Sequence, residues 1–177
     1  FASIAWSPDG TRLLAQFRKK DADALAREQD EQAKQLGVVV RHITQLDYKS
    51  DGAGYLPQEK WHLWTIDAAD GTAVQLTDGP YSEVEPDWSP DGEWIAYYAG
   101  HRQIRLIKPD GSAAPGWPVD VGVELADGPV AVGDLNGDGD PVLVVGATDG
   151  KAYAYDHEGN LLPGWPSAVT PPGIDIY

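Results

Sequence analysis

The sequence predicts an all-β protein, and three observations support this fold class. Glycine and proline are abundant, with 20 and 14 residues in a chain of 177, and they are spaced to close tight turns between short apolar segments. One string recurs, because AWSPDGTRLLAQF at 5–17 returns as DWSPDGEWIAYYA at 87–99. Finally, only one segment of the chain has a helical pattern. The sequence therefore predicts many short strands.

Each copy of the repeated string predicts a hairpin. Proline presets the first central dihedral of the Ser-Pro-Asp-Gly turn, and glycine tolerates the positive φ that closes it. A second hairpin follows each copy, at 62–79 and at 103–119, with an Asp-Gly turn in each. Four strands that meander through such turns are typical of one blade of a β-propeller.

The third unit has a different sequence from the first two but the same predicted order of strands and turns. It runs from 128 to 167 and contains the apolar segments 130–132 and 142–145. These segments are small and β-branched, as strands packed on both faces require. PGWP occurs at 115–118 and again at 163–166. The repetition predicts equivalent positions in successive blades.

An insertion at 19–59 interrupts the first unit. Its sequence DADALAREQDEQAKQLG predicts one helix at about 21–36, which Asp21 caps and Gly37 ends. Oppositely charged residues stand four apart at Asp23 and Arg27, at Arg27 and Glu31, and at Asp30 and Lys34. The apolar side of this helix is thin, so we expect it to lie on a surface.

The unit lengths predict about three blades. Without the insertion each unit has about 45 residues, which matches the ~40–45 residues of a propeller blade. We expect blade one at 1–79, blade two at 80–119, and blade three at 120–177 with a candidate closing strand at its end. Propellers close with 4–8 blades. We therefore expect a homo-oligomer that completes the ring, with a dimer closing six blades through head-to-tail contacts.

Residues 1–100 resemble the propeller domain of prolyl-oligopeptidase-family serine peptidases, closest to the acylaminoacyl-peptidase-like branch. The strings that carry the resemblance are WSPDG twice, ITQLDYKSDGAGYLPQEKWHLWTIDAADG and VQLTDGPYSEVEPDWSPDGEWIAYYA. Related blades also occur in TolB-like proteins. The resemblance implies a propeller that gates a separate catalytic domain. The Gly-x-Ser-x-Gly elbow of such a domain is not present in this sequence.

Residues 113–168 resemble the FG-GAP repeats of integrin-α-type propellers. The strings GWPV, DLNGDGD and VVGATDGKAYAYDHEGNLLPGWP carry this resemblance. It implies an aspartate-rich loop that binds calcium between two strands. Two types of propeller repeat in one short chain favour a chimera assembled by recombination or by design. A natural hybrid is the alternative.

The candidate calcium loop lies in GDLNGDGDPVLVVG. Asp134, Asn136 and Asp138 alternate with small residues, and the carbonyl of Asp140 would add a fourth oxygen. Calcium takes six to eight oxygens. The FG-GAP resemblance implies a further acid where this chain has Val142. We therefore expect weak Ca²⁺ binding, near ~10⁻⁴–10⁻³ M or weaker. The alternative is a turn closed by its own side-chain-to-backbone hydrogen bonds.

Several functional classes are disfavoured by composition. A formal charge of −15 argues against a nucleic-acid partner, because phosphates require a cationic surface. No apolar run reaches the length of a membrane span, and no signal peptide is visible. Without cysteine the sequence does not indicate a compartment. The chain begins at Phe1 and has no methionine. We therefore expect a processed piece, an excerpt or an engineered chain.

The sequence favours a non-enzymatic scaffold or binding module that requires no cofactor. Its four histidines have no metal-ligand spacing, and the serines lie in turns or polar segments. Paired carboxylates for glycoside hydrolysis stay open, since their separation is not visible in a sequence. The tryptophans are expected to fill the wedges between blades rather than to stack on sugars. Two alternatives stay open: an excerpt of a peptidase's substrate-gating propeller, and a calcium-dependent extracellular adhesion or lectin-like module.

Overall fold

The computed structural model describes residues 2–20, 22–36, 49–50, 54–55, 59–126, 128–135 and 137–168. Within these ranges the strands are β1 (Ser3–Trp6), β2 (Arg12–Phe17), β3 (Lys49–Ser50), β4 (Gly54–Tyr55), β5 (His62–Asp67), β6 (Ala73–Gln75), β7 (Glu83–Trp88), β8 (Ile95–Ala99), β9 (Gln103–Ile107), β10 (Val119–Asp120), β11 (Ala131–Gly133), β12 (Val142–Gly146), β13 (Lys151–Tyr155) and β14 (Ser167–Ala168). The helices are α1 (Ala22–Gln29) and α2 (Glu31–Leu36).

Twelve of these strands form three four-stranded antiparallel sheets. Their orders are β1-β2-β5-β6, β7-β8-β9-β10 and β11-β12-β13-β14, so each sheet is a meander along the chain. We call these sheets blade one, blade two and blade three. The prediction of an all-β, propeller-like chain with three four-stranded units is confirmed. The candidate closing strand falls on 169–177, outside the described residues.

The Ser-Pro-Asp-Gly turns of blades one and two have the same hydrogen bonds. The hydroxyl of Ser7 accepts from the amide of Arg12 at 2.9 Å, and that of Ser89 accepts from the amide of Trp94 at 2.9 Å. The Ser7 hydroxyl also donates to Asp9 at 2.6 Å. This bond and bonds from Thr11 lower the pKa of Asp9 to about 2. Local chemistry therefore shapes the turn in the same way at both positions.

Within the described part of the chain, blade two contributes to two hydrophobic cores. Side chains alternate between the two faces of a strand, and all of β8 is buried. Ile95, Tyr97 and Ala99 pack toward blade one, whereas Ala96 and Tyr98 pack toward blade three. Burial raises the pKa of Tyr97 to about 12. The cores thus lie between the sheets, and a sheet is fully covered only when it has a neighbour on each side.

Blades two and three approach closely enough to touch through their backbones. A Cβ on Gly116, where φ is +82°, would lie 1.9 Å from the carbonyl oxygen of Glu158. A Cβ on Gly159 would lie 2.9 Å from the carbonyl oxygen of Gly116. Next to this contact the indole Nε1 of Trp117 donates to the carbonyl of His157 at 2.9 Å. Glycine is therefore required at the junction.

The insertion contains two helices, so the prediction of one continuous helix at about 21–36 is wrong. The chain breaks at Asp30, whose carboxylate accepts from the amides of Gln32 at 2.8 Å and Ala33 at 3.1 Å. Asp30 is thus the N-cap of α2 rather than a residue inside a helix. Lys34 pairs with Glu31 at i,i+3, not with Asp30 at i,i+4. Further along, β3 and β4 pair as a short hairpin.

The glycine junction predicts a difference between two matched substitutions in blade two. Gly116→Ala and Gly122→Ala both place alanine at a positive φ, +82° and +84°, which costs about 1–2 kcal/mol. Only Gly116→Ala adds an overlap with Glu158. We expect urea denaturation to show a clearly larger loss of unfolding free energy for Gly116→Ala. Equal losses would contradict the close approach of the two blades.

Candidate functional site

The aspartate turn between β11 and β12 directs its carboxylates at its own backbone. Asp134 accepts from the amide of Gly137 at 2.6 Å and from the amide of Gly139 at 2.9 Å. Asp138 accepts from the amide of Asp140 at 2.9 Å. Asn136, the third predicted side-chain ligand, lies outside the described residues. These bonds support the alternative of a self-closed turn.

The surroundings of the turn offer little for calcium beyond the predicted residues. Val142 begins β12 and is buried, paired in register with Gly133. His157 lies 3.7 Å from a carboxylate oxygen of Asp140. Within the described part of the chain, no group of three or more histidine, aspartate or glutamate side chains is arranged to hold a metal ion. Calcium binding stays a prediction for which the donor set is small.

A buried polar cluster joins blade one to blade two. The Nδ1 atom of His62 lies 2.7 Å from Oε2 of Glu83, and the hydroxyl of Thr77 donates to the same oxygen at 3.0 Å. Gln16 donates from its side chain to the Glu83 carbonyl at 3.0 Å. Glu83 is only 4% exposed. Sequence reasoning missed this cluster, because His62 and Glu83 are 21 positions apart and form no motif.

The hydrogen bonds of this cluster tie blade one to the start of β7. The Thr77 hydroxyl gives its hydrogen to Glu83 and accepts from the amide of Leu63 at 2.9 Å. His62 contacts the carboxylate and not the hydroxyl. The cluster therefore holds the start of β7 against blade one.

The tryptophans of the first two blades serve mainly as packing surfaces. The guanidinium of Arg18 lies 4.6 Å from the centre of the Trp61 ring, and the ammonium of Lys19 lies 4.6 Å from the centre of the Trp64 ring. Trp88 and Trp117 lie in the two cores, 6% and 8% exposed. These four rings are covered by cations or by other side chains. Their placement supports packing over a sugar platform.

Trp6 is the exception, and it marks an open face on blade one. Trp6 and Trp88 occupy the same position in the repeated string, directly before identical Ser-Pro-Asp-Gly turns. Trp88 is 6% exposed because blade one covers it, whereas Trp6 is 61% exposed. Ile4 lies on the same face of β1 and is 54% exposed. The difference arises from the missing neighbour and not from local sequence.

The face of blade three that points away from blade two carries small residues. Val130 and Val132, Leu143 and Val145, and Tyr153 and Tyr155 pack toward blade two. Strand alternation therefore places Ala131, Val144 and Ala154 on the opposite face. On that face Ala131 is exposed and Val144 is half-buried, whereas Ala154 is fully buried. The two ends of the array thus differ, because blade one exposes large side chains and blade three exposes small ones.

Two of the known proteins to which this chain is similar are much longer than it, so that each match covers less than half of the known protein. A curated protein of Bacillus subtilis (strain 168), described as the uncharacterized peptidase YuxL, is 30% identical over 95 residues. That match covers 53% of this chain and only 14% of the relative. A solved structure described as TolB from Agrobacterium tumefaciens matches with 20% identity and a TM-score of 0.43, covering 89% of this chain and 46% of that one.

No family model matches the chain. The match to YuxL covers too small a part of that protein to transfer an activity. Among the described residues, no helix has both the length and the apolar character that crossing a membrane requires.

The aspartate turn predicts weak calcium binding that one substitution should strengthen. We expect calorimetric titration with CaCl₂ to give a dissociation constant no tighter than about 10⁻⁴ M. Val142→Asp supplies a carboxylate where the FG-GAP pattern has one, so it should tighten binding. Val144→Asp, on the same strand, is the matched control and should not. Binding far tighter than this limit by the unmodified chain would contradict the small donor set.

Proposed function

We propose that this chain is a non-enzymatic β-propeller scaffold or binding module that self-associates, with two copies closing a six-bladed ring. The observation that carries the proposal is the exposure of Trp6, 61%, against 6% for its repeat equivalent Trp88. A second copy placed before blade one would cover Trp6 as blade one covers Trp88. The ring would join blade three of each copy to blade one of the other.

The whole open face of blade one supports this assembly, not Trp6 alone. In blade two, Ile95 pairs in register with Ile107, and both pack against blade one. In blade one the equivalent register pairs Leu13 with Ile66, and both are only partly buried. The same apolar positions are thus occupied in both blades. Among the residues that the structure describes, blade two has a neighbouring blade on that side, and blade one does not.

Size complementarity favours head-to-tail contact between copies. Blade one offers Trp6 and Ile4, and blade three offers the exposed Ala131 and the half-buried Val144, beside an Ala154 that is already buried within the chain. Large side chains pack well against small ones when facing layers interdigitate. Burying a large apolar side chain contributes about 1.5–3 kcal/mol, so a few such residues at each of two contacts suit a stable dimer. A ring of two copies uses both open faces and leaves neither exposed.

The presence of repeat sequences that resemble two propeller families fits the same proposal. Blades that resemble two propeller families can share a chain because each blade needs only an apolar face that matches its neighbours. We propose a chimeric origin, by recombination or by design, in which blade three has an FG-GAP-like sequence. A calcium-dependent adhesion or lectin-like role for that blade depends on the titration of the aspartate turn.

Light scattering tests the proposed assembly directly. We expect a native mass of twice the 19.1 kDa of one chain. Trp6→Glu should shift the protein toward monomer, because the contact would then bury an unpaired charge. Tyr81→Glu, at a side chain 55% exposed in the β6–β7 loop, is the matched control and should leave the dimer intact. A well-folded monomer at all concentrations would overturn the proposal.

A second candidate function is favoured by the similarity to YuxL. The chain would then be a section of a substrate-gating propeller, with the catalytic domain on another part of a longer polypeptide. The buried His62–Glu83 cluster and the self-closed turns fit a passive structural role. A monomer or a soluble aggregate in light scattering would support this candidate over the closed ring.

Both candidates assign no catalytic nucleophile to these residues. Incubation with a fluorophosphonate probe should therefore give no covalent labelling. An activated serine requires a base that takes its proton, and Asp9, which accepts from the Ser7 hydroxyl, is a weak base because hydrogen bonds lower its pKa to about 2. Mass spectrometry of the intact chain measures the added mass, with an authentic serine hydrolase as the positive control. Stoichiometric labelling of one serine would show that the chain carries chemistry of its own.

A further inference from the structure

Within the chain, the contact between blades two and three joins a Gly-Trp segment to a tight turn. The segment is Gly116–Trp117, before β10, and the turn is 156–160, between β13 and β14. Gly116 lies directly against the Glu158 carbonyl, and the Trp117 indole donates to the neighbouring His157 carbonyl. This turn closes through a bond from the amide of Asp156 to the carbonyl of Asn160 at 3.0 Å.

Blade three carries the same Gly-Trp segment, and no other described residue lies against its glycine. The amide of Trp165 donates to the carbonyl of Leu162 at 3.1 Å, as Trp117 does to Ala114 at 3.3 Å. Gly164 has a φ of +87°, close to the +82° of Gly116. Yet a Cβ on Gly164 would meet no described atom within 4 Å, and the Trp165 side chain is half-exposed. The segment has the conformation of the buried copy without its partner.

Blade one carries a turn at the corresponding place, one residue longer than the 156–160 turn and without a described neighbour against its glycine. The turn 67–72 between β5 and β6 closes through a bond from the amide of Asp67 to the carbonyl of Thr72 at 2.8 Å. Gly71 has a φ of +75°, and a Cβ there would meet no described atom within 4 Å. The remaining turn residues are exposed.

The corresponding turn of blade two shows that this contact is a general feature of the blades. A Cβ on Gly111, in the β9–β10 turn, would lie 3.1 Å from the carbonyl oxygen of Leu76 in blade one. The turn glycines of blades two and three therefore both abut the segment next to the outer strand of the preceding blade. Only blade one has no preceding blade within the described chain.

We infer that the 67–72 turn of one copy receives the Gly164–Trp165 segment of a second copy, with the Trp165 indole donating to the Ala69 carbonyl. The contact rests on the proposed self-association and specifies how it is made. The occupant is a second copy because one chain exposes the segment at one end of the array and the turn at the other. Ala69 stands where blade three has His157, counted back from the turn glycine, and its small side chain leaves room for the indole.

The contact between copies should depend on ionic strength, because both copies carry the same net charge. The chain carries a formal charge of −15, so two copies repel each other over long range. Screening shortens this repulsion to about 8 Å at 0.15 M ionic strength. The dimer should therefore strengthen as salt is raised, and the experiments below belong at or above that ionic strength.

Cross-linking tests the contact without relying on the overall mass. The chain has no cysteine, so Pro163→Cys in one preparation and Asp70→Cys in another give single reactive sites at exposed positions. Mixed and treated with a short bismaleimide, they should yield a covalent dimer. Pro115→Cys with Glu158→Cys in one chain is the internal calibration, because these positions occupy the established junction. Pro163→Cys mixed with Leu36→Cys is the negative control.

A second measurement uses matched glycines. Gly71→Ala should weaken dimerisation at least ten-fold in sedimentation equilibrium, because its Cβ would meet the partner backbone as a Cβ on Gly159 meets Gly116. Gly100→Ala has nearly the same φ, +72° against +75°, and equally open space in the chain. It should leave the dissociation constant unchanged. Comparing the two removes the cost of the positive φ itself.

The outcomes separate this contact from the proposed function. A covalent dimer together with selective weakening by Gly71→Ala supports the contact. A dimer by mass that gives no cross-link and responds equally to both glycine substitutions overturns the contact and leaves self-association standing. A monomeric unmodified chain overturns both, and a blade of a different chain then becomes the occupant of the open turn.

Discussion

Face-to-face packing between sheets is the interaction on which the rest of this structure depends. Each four-stranded meander has two apolar faces, and hydrogen bonds along its strands satisfy the backbone but leave those faces in water. The burial of every β8 residue shows the result when both faces are covered. Removing apolar area from water is the main favourable contribution to folding. A blade at the end of the array therefore retains one face whose burial requires another sheet.

Local turn chemistry and inter-blade packing act independently in this chain. Ser7 and Ser89 make the same hydrogen bonds, yet the tryptophans before them differ from 61% to 6% in exposure. The turn can form without a neighbour, since its bonds lie within a few residues. The tryptophan needs a neighbour, and its exposure reports whether one is present. Because turn formation and packing between blades are independent, repeats with different sequences can share one chain.

Much of the fold could be predicted from the sequence, because period-2 alternation and turn residues act locally. The helix break could have been found, since an aspartate at Asp30 can cap a helix as readily as pair with Lys34. The His62–Glu83 pair could not, because only the tertiary fold brings together residues 21 positions apart. The aspartate turn was ambiguous for another reason. Calcium loops and self-closed turns use the same residues and differ only in where the carboxylates point.

The contrast between the two end faces governs which assembly the chain can form. A symmetric contact would need one face to match itself, whereas here Trp6 and Ile4 stand on one face and Ala131, Val144 and Ala154 on the other. In the proposed self-association such a pair of faces would make head-to-tail contacts, and these would close into a ring only if the rotation per blade sums to a full turn. That rotation depends on how closely sheets approach, and Gly116 and Gly159 show an approach limited by backbone contact. The glycines at these junctions therefore help to decide between a closed ring and an open filament.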